Sequence, residues 1–297
     1  MNNNAFAACH PGITFLFFIA AIIFGMCFLH PVFLAVSCVL SAACLITIRR
    51  RRALKTIAVL TAVFVVIAVL NPIFNANGQQ VLFVMPWGNN YCLEALCYGI
   101  AIGAVFVTVM LWFASYNTVM TSDKFIFLFG RAIPSLSLVL TMILRLVPSF
   151  RKKADQIAGA RKCIGKGGMS GTRAESVQNG MSIVSSLTVW ALEGGIITAD
   201  SMQSRGYGSG NRTSFSVYRF DGRSKTLLAV LTVLIAIVLF CGIKGGMKTT
   251  YVPAMDITGP DDPYMLTGII AYIILLAVPT VLNIMEAFKW HSLRSKI

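Results

Sequence analysis

The chain has 297 residues, of which 57% are hydrophobic and only 12% are charged, and its formal net charge at pH 7 is +14. A soluble domain cannot bury that much apolar surface, so the composition excludes an ordinary soluble globular protein and favours a membrane protein. In a membrane protein, an excess of basic residues marks the cytoplasmic side more often than a nucleic-acid-binding surface.

The beginning of the chain, MNNNAFAACHPG, carries no Lys or Arg. A secretory signal peptide has a positively charged front end, so we expect the first apolar run to be retained as a membrane-spanning helix. The eight cysteines form no C-x-x-C pair and mostly lie in apolar runs. We therefore interpret them as small hydrophobic residues rather than as metal ligands or disulfides.

Apolar runs of about 17 to 23 residues predict six membrane-spanning helices. His30-Pro31 divides the first apolar stretch into two spans, because the residue before a proline disfavours helix. The chain is therefore predicted to be an all-α integral membrane protein with four spans in residues 1–116, a cytoplasmic helical platform in 117–225, and two spans and a tail in 226–297. The predicted spans cover residues 13–29, 32–48, 55–71, 93–116, 226–243 and 265–286.

The distribution of Lys and Arg orients these spans. Of the 25 Lys and Arg residues, 23 lie in the stretches 49–55, 117–225 and 287–297, two lie in 244–264, and none lies in 72–92. The positive-inside rule therefore predicts that 72–92 and 244–264 face outward and that both termini are cytoplasmic.

Two short polar features flank the third and fourth spans. Asn71-Pro72-Ile73-Phe74 is expected to form an outer turn, since Asn and Pro initiate turns. Glu94 begins the fourth span, where a carboxylate complements the positive end of the helix dipole. Both features are thus explained by local structure.

The platform begins with helix-capping residues at 121–123. The run from Pro134 to Pro148 is apolar, but it has only fifteen residues and contains Arg145, which would be costly in the middle of a bilayer. We expect a helix at the inner membrane interface or one packed on another protein. A basic helical stretch follows, and the glycine-rich stretch 165–171 breaks it.

A second platform helix is predicted from Ser176 onward. Its apolar residues recur at spacings of three and four, and Gly206 and Gly208 end it. Arg205 lies eighteen residues after Leu187, which is five helical turns, so the two share one face. Arg205 is then either a lipid-facing residue at a helix end or a plug whose guanidinium binds a carboxylate in a partner's groove.

No catalytic motif stands out. The stretch from Gly159 to Lys166 departs from a phosphate-binding loop, because five residues separate Gly159 from Gly165 and Lys166 is followed by Gly. The spans contain almost no charged residue, which argues against a self-contained ion-coupled carrier. We expect a protein that is not an enzyme, holds no metal and binds no cofactor directly.

Several short motifs occur in a characteristic order and cover roughly residues 55 to 225. They are NPIF at 71–74, EAL at 94–96, YNTV at 116–119, TSDK at 121–124, PSLSL at 134–138, LRLVP at 144–148 and ADSMQSRGY at 199–207. In this order they resemble the T component of energy-coupling factor (ECF) transporters, the family that includes the cobalt-transport permease.

The resemblance implies a transmembrane scaffold between two cytoplasmic ABC-type ATPases, which use ATP, and a small substrate-binding membrane subunit, the S component. Such an assembly takes up a vitamin or a metal ion such as cobalt. It also implies two helices whose Ala-Arg-Gly-like ends dock in the ATPases. The second end matches at Ser204, Arg205, Gly206 and Tyr207, and the first is degenerate at Arg161, Lys162, Cys163 and Gly165. The surface expected to meet the S component includes Leu138, Met142, Ile183, Leu187 and Trp190.

The expected setting is the plasma membrane of a prokaryote. A stand-alone carrier or channel is the alternative, and it would need polar groups within the membrane. An integral membrane enzyme would need a catalytic constellation. ATPases that co-purify with the chain would support the scaffold, and substrate binding by the isolated chain would support the carrier.

Overall fold

The computed structural model describes residues 5–75, 80–84, 90–130, 134–165, 173–209, 218, 220–245, 249–251, 256–257 and 262–294. Over these residues the protein is all-helical apart from two short antiparallel hairpins, which confirms the predicted fold class. The helices are α1 (Ala5–Ala8), α2 (Pro11–Cys27), α3 (Pro31–Arg49), α4 (Arg51–Phe74), α5 (Leu93–Val119), α6 (Ser122–Gly130), α7 (Pro134–Cys163), α8 (Arg173–Ser204), α9 (Gly222–Ile243) and α10 (Pro263–Arg294). The hairpins pair β1 (Val81–Val84) with β2 (Asn90–Cys92), and β3 (Thr249–Thr250) with β4 (Asp256–Ile257).

Six helices in the described part of the chain are long and apolar enough to cross a membrane, so the protein is a multi-pass membrane protein. Five of them coincide with predicted spans, and the predicted first span is the 17-residue helix α2. The sixth lies in α8 and has a mean hydropathy of 1.4, against 2.2 to 2.9 for the others. The six stretches are Pro31–Arg49, Arg51–Phe74, Leu93–Val119, Ala174–Ser204, Gly222–Ile243 and Pro263–Trp290.

The chain forms two compact units. Unit 1 contains residues 1–125 and 218–297, and unit 2 contains residues 126–217. Unit 1 therefore holds α2 to α5, α9 and α10, whereas unit 2 holds α7 and α8.

The core of unit 1 is a cluster of aromatic side chains. Phe6, Phe17, Phe18 and Trp112 are fully buried. Their rings meet edge to face, with centroids 5.3 Å apart for Phe6 and Phe17 and 5.5 Å apart for Phe17 and Trp112. This geometry places a positive ring edge on a negative ring face, which strengthens the packing beyond simple burial. The short helix α1 is thereby fixed against α2, which in turn packs against Trp112 of α5.

Helices α4 and α5 pack closely because α5 presents two glycines, four residues apart, to α4. A Cβ atom at Gly99 would lie 2.9 Å from Asn71 Cβ and 3.0 Å from the carbonyl oxygen of Ala68. At Gly103 the nearest atoms belong to the ring of Phe64, at 3.0 Å. Small residues at this spacing allow two membrane helices to approach backbone to backbone. The two glycines form a G-x-x-x-G pattern in the sequence.

The segment Asn71 to Phe74 is the last turn of α4, so the predicted outer turn at these residues is wrong. Pro72 is buried within the helix. Because proline has no N–H, the Ala68 carbonyl loses the helical hydrogen bond that residue 72 would otherwise donate. Close packing on α5 holds the last turn of α4 in place.

The length of α7 also differs from the sequence-based expectation. Helix α7 continues from Pro134 through Pro148 to Cys163, so the short apolar run and the basic stretch form one helix. The part of the glycine-rich break from 166 to 171 lies outside the described residues.

Glu94 lies in the first turn of α5 as expected, and its carboxylate also accepts a hydrogen bond from the N–H of Gln80 at 3.1 Å.

Histidine caps the N-termini of both α2 and α3. The backbone N–H of Gly12 donates to His10 Nδ1 at 3.2 Å, and the N–H of Val32 donates to His30 Nδ1 at 3.3 Å. Each His precedes a Pro that begins the helix, where the missing N–H costs nothing. The two His-Pro pairs therefore mark the starts of α2 and α3.

The cap at His10 predicts a loss of stability in acid. Its ring lies 4.2 Å from the ring of Phe220, and burial lowers the pKa of His10 below its ordinary value of about 6.5. The folded state then favours the neutral imidazole, so the stabilisation is complete above about pH 6.5 and is lost as the pH falls through the lower folded value. A His10→Asn variant keeps an acceptor at the cap without this titration.

The unfolding midpoint of the full chain should therefore fall more steeply between about pH 7.5 and 5.5 than that of His10→Asn. Thermal unfolding of both proteins in the same detergent measures the two slopes. Equal slopes would mean that His10 does not control this acid sensitivity.

A buried lysine joins three elements where α5 ends. The ammonium of Lys124 donates to the carbonyl oxygens of Ala7, at 2.5 Å, and Val119, at 2.8 Å. Val119 is the last residue of α5, so a cation here satisfies an orphan carbonyl at the negative end of the helix. Burial lowers the pKa of Lys124. The motif TSDK at 121–124 contains this lysine, but its polar composition gives no sign that the side chain is buried.

Candidate functional site

Unit 2 contains every residue predicted to meet a partner protein. Helices α7 and α8 run antiparallel where they touch, because Phe150 lies against Trp190 and Arg161 lies against Ser182. The rings of Phe150 and Trp190 meet edge to face at 5.6 Å, and Lys153 Nζ lies 5.9 Å from the Trp190 ring centroid. This contact joins the basic half of α7 to the middle of α8.

An open apolar groove lies beside this contact. Leu187, one of the predicted partner-facing residues, is among the residues that line it. Ile183, Trp190, Leu138 and Met142 are partly buried and lie outside its lining. The groove is lined by Phe150, Arg151, Ala154, Val184, Leu187, Thr188, Ala191 and Leu192. The predicted set is thus only partly brought together.

Helix α8 leaves most of its surface uncovered. None of its described side chains is buried within the protein, and large apolar residues along it are strongly exposed, including Met181, Leu192 and Ile197. An apolar surface of this extent on a helix indicates a contact with lipid or with another protein. A polar helix facing water would not carry it.

The C-terminal end of α8 is closed by a glycine motif. Gly206 has φ +78°, the N–H of Tyr207 donates to the Met202 carbonyl at 3.0 Å, and the N–H of Gly206 donates to the Gln203 carbonyl at 3.0 Å. These two bonds define a Schellman cap with Gly206 in the left-handed conformation that glycine adopts without strain. The predicted end of the helix at this glycine is confirmed.

The residues around this cap project from the surface. Ser204, Arg205, Gly206 and Tyr207 are all exposed. The hydroxyl of Ser204 donates to the carbonyl of Asp200 at 3.0 Å, so it is used inside the helix. The side chain of Arg205 makes no hydrogen bond or ion pair to the described part of the chain. With respect to the described residues, its guanidinium is therefore available to a partner.

The end of α7 is built differently. Gly165 also has a positive φ, +72°, and Lys162, Cys163 and Gly165 are exposed. Arg161 turns back instead: its guanidinium donates to Ser182 at 2.5 Å and to the Asn179 side-chain oxygen at 3.0 Å. The one exposed cation among the residues of the degenerate motif is therefore Lys162. The binding of Arg161 to α8 could not be predicted from the sequence.

The two ends lie far apart along unit 2. Arg161 contacts α8 at Ser182, and Arg205 follows Ser182 by 23 residues. At 1.5 Å per residue this is about 34 Å along the helix axis. One docking pocket could not accept both ends.

Within the described residues no cluster of three or more His, Cys, Asp or Glu residues could hold a metal ion. No protein-family model matches this chain. No curated protein is significantly similar to it either.

Proposed function

We propose that the protein is the transmembrane coupling subunit of an ATP-driven importer of the energy-coupling-factor type, with unit 2 as the part that meets the ATPases. The observation that carries this proposal is the exposed Arg205 at the Schellman cap of α8. Its fork of N–H donors suits a carboxylate in a partner's groove, and Gly206 adds no side chain that would obstruct entry.

Two docking points support a pair of ATPases. The ends of α7 and α8 each finish at a glycine with positive φ, and they are separated by about 34 Å along α8. Each ATPase would receive one end, the α8 end through Arg205 and the α7 end through Lys162. Because a lysine lacks the planar fork, the α7 contact is expected to be the weaker one.

ATP-driven closure of the ATPases would then move both ends of unit 2, and the motion would reach a separate substrate-binding subunit. A partner can drive such a change only by binding two states of the platform with different affinity. The exposed apolar surface of α8 and the groove at Leu187 suit the substrate-binding subunit. The cargo in this scheme is a vitamin or a metal ion, and the termini lie in the cytoplasm of a prokaryote.

A charged residue in the groove should disrupt this second contact. Leu187→Asp would put a carboxylate on a surface that must lose water on binding, which costs several kcal/mol for an unpaired charge. We expect the substrate-binding subunit to be lost from the purified complex while the ATPases remain. Thr188→Asp, on the same groove, should also release the substrate-binding subunit. Glu193→Gln is the control and should retain it. An intact complex from Leu187→Asp would contradict this assignment.

Co-purification tests the proposed function. The full chain, tagged and extracted from its native membrane, should bring two ATPase subunits and a small membrane protein with it. If it arrives alone and binds a transported compound by itself, the protein is a carrier.

The position of α8 is tested by cysteines at Asn75 and Ser209 in a cysteine-free background. An impermeant reagent applied to whole cells should label position 75 and not position 209.

A further inference from the structure

The turn between α3 and α4 has an unusual backbone. Helix α3 ends at Arg49 and α4 begins at Arg51, so Arg50 alone joins two membrane-spanning helices. Arg50 has φ +51° and ψ −124°, and it is the only described residue other than glycine with a positive φ. These angles match the first central position of a type II′ turn, which glycine normally occupies. An arginine in this conformation is strained, whereas glycine would not be.

The start of α4 is also electrostatically unfavourable. Its first turn contains no acidic residue, and Arg50 provides no side-chain cap. Arg51, Arg52 and Lys55 instead place positive charge at the positive end of the helix dipole. Arg51 and Lys55 are four residues apart, so like charges lie on neighbouring positions of one face. The N–H groups of Arg51 and Arg52 have no backbone acceptor among the described residues.

Protein groups do not compensate these charges. The first 93 residues contain no Asp or Glu. Arg49 differs from its neighbours, because its Nε donates to the Thr118 hydroxyl at 2.7 Å. The side chains of Arg50, Arg51, Arg52 and Lys55 are exposed, and none makes an ion pair or side-chain hydrogen bond with the described part of the chain.

We propose that Arg50, Arg51, Arg52 and Lys55, the α3–α4 turn, bind the phosphate of an anionic membrane lipid. One phosphate would supply the missing negative charge and accept the two N–H groups. A one-residue junction cannot extend beyond the ends of two spans, so the turn lies at headgroup depth. Leu54 beside it is 59% exposed and offers an apolar surface to an acyl chain, which favours a lipid over a free phosphate.

The test compares lipid selectivity in three variants of the full chain. Each protein is purified in detergent micelles that contain equal amounts of phosphatidylglycerol and phosphatidylcholine, and native mass spectrometry measures the ratio of retained lipids. R50G relieves the backbone strain and removes one charge. R51Q/R52Q removes two charges from the turn. R223Q/K225Q removes two exposed charges from the start of α9, where Asp221 supplies a nearby acid.

The wild-type chain should retain phosphatidylglycerol preferentially. R50G should lower that preference roughly fivefold, as expected for one basic residue near an anionic headgroup, and R51Q/R52Q should lower it further. R50G should unfold at the same temperature as the wild type or at a higher one, because glycine suits the turn. R223Q/K225Q should keep the preference.

Two results would overturn the proposal. One is an unchanged lipid ratio in both R50G and R51Q/R52Q. The other is an equal loss in R223Q/K225Q, which would reduce the effect to general attraction between a basic protein and an anionic lipid. The site is independent of the proposed coupling role, since neither ATPases nor a substrate-binding subunit take part in the measurement.

Discussion

Replacing Arg205 by Glu should remove the ATPases from the purified complex and abolish uptake, while the chain still inserts into the membrane. The side chain of Arg205 is exposed and binds no described residue, so the change leaves the fold of unit 2 intact. In the complex, however, the new carboxylate would face the partner carboxylate that Arg205 is proposed to bind. Truncating one member of a buried, hydrogen-bonded charge pair costs about 2–5 kcal/mol, and reversing its sign adds repulsion.

A graded series separates charge from geometry at this position. Arg205→Lys keeps the charge but loses the planar fork, so it should be partly defective, and Arg205→Ala should be worse. Arg223→Glu, an exposed arginine at the start of α9, is the matched control and should retain the ATPases. If Arg205→Glu retains its ATPases and transports normally, Arg205 is a lipid-facing residue and the coupling role fails.

Substitutions at the end of α7 should have weaker effects than those at Arg205, and the effects should differ between Lys162 and Arg161. Lys162→Glu should weaken ATPase association without disturbing the contact between α7 and α8, because Lys162 is exposed. Arg161→Ala should instead loosen the contact of α7 with α8, since Arg161 holds Ser182 and Asn179. Protease sensitivity of unit 2 distinguishes the two effects.

Gly99→Leu should prevent α4 and α5 from packing and greatly reduce the amount of folded protein. A side chain at Gly99 meets the Ala68 carbonyl oxygen at 3.0 Å, which is backbone and cannot rotate away. Overpacking of a close contact costs about 1–3 kcal/mol for added methylenes, and a leucine adds four carbons. Detergent-solubilised yield and the unfolding midpoint measure the effect.

Two alanine substitutions are the controls for this prediction. Gly103→Ala should be milder than Gly99→Ala, because its nearest neighbour is the ring of Phe64, a side chain that can shift. Gly180→Ala, at a position on α8 with no atom within 4 Å of the added carbon, should be neutral or stabilising by up to about 1 kcal/mol. Equal behaviour of all three variants would show that close approach at Gly99 is not what holds α4 on α5.

The apolar spans could be predicted from sequence because a bilayer demands both length and composition of a helix. Five of the six apolar stretches coincide with predicted spans, and the end of α8 at Gly206 follows from glycine's tolerance of positive φ. Helix α8 was harder, since its exposed apolar residues satisfy a membrane criterion as well as a protein-contact criterion. Whether α8 crosses the membrane or packs on another protein can be decided only from its partners or its topology.

Side-chain partners between helices could not be read from the sequence. The pairing of Arg161 with Ser182 depends on the register of α7 against α8, and the burial of Lys124 depends on where α1 lies. The packing of Gly99 against α4 was within reach, because two glycines four residues apart on an apolar helix predict a close helix contact. The positive φ of Arg50 could not be predicted from the sequence, because arginine rarely adopts that conformation.

Cross-linking from Ser204 tests the central claim most directly. Ser204→Cys is nearly isosteric, and its thiol would lie beside Arg205 at the exposed end of α8. In a background without the natural cysteines, a short photo-activated cross-linker at this position in native membranes should join the chain to an ATPase subunit. The yield should change when nucleotide is added, because the contact must differ between states. Adducts with lipid alone, or labelling of this cysteine from outside intact cells, would contradict the proposed coupling role.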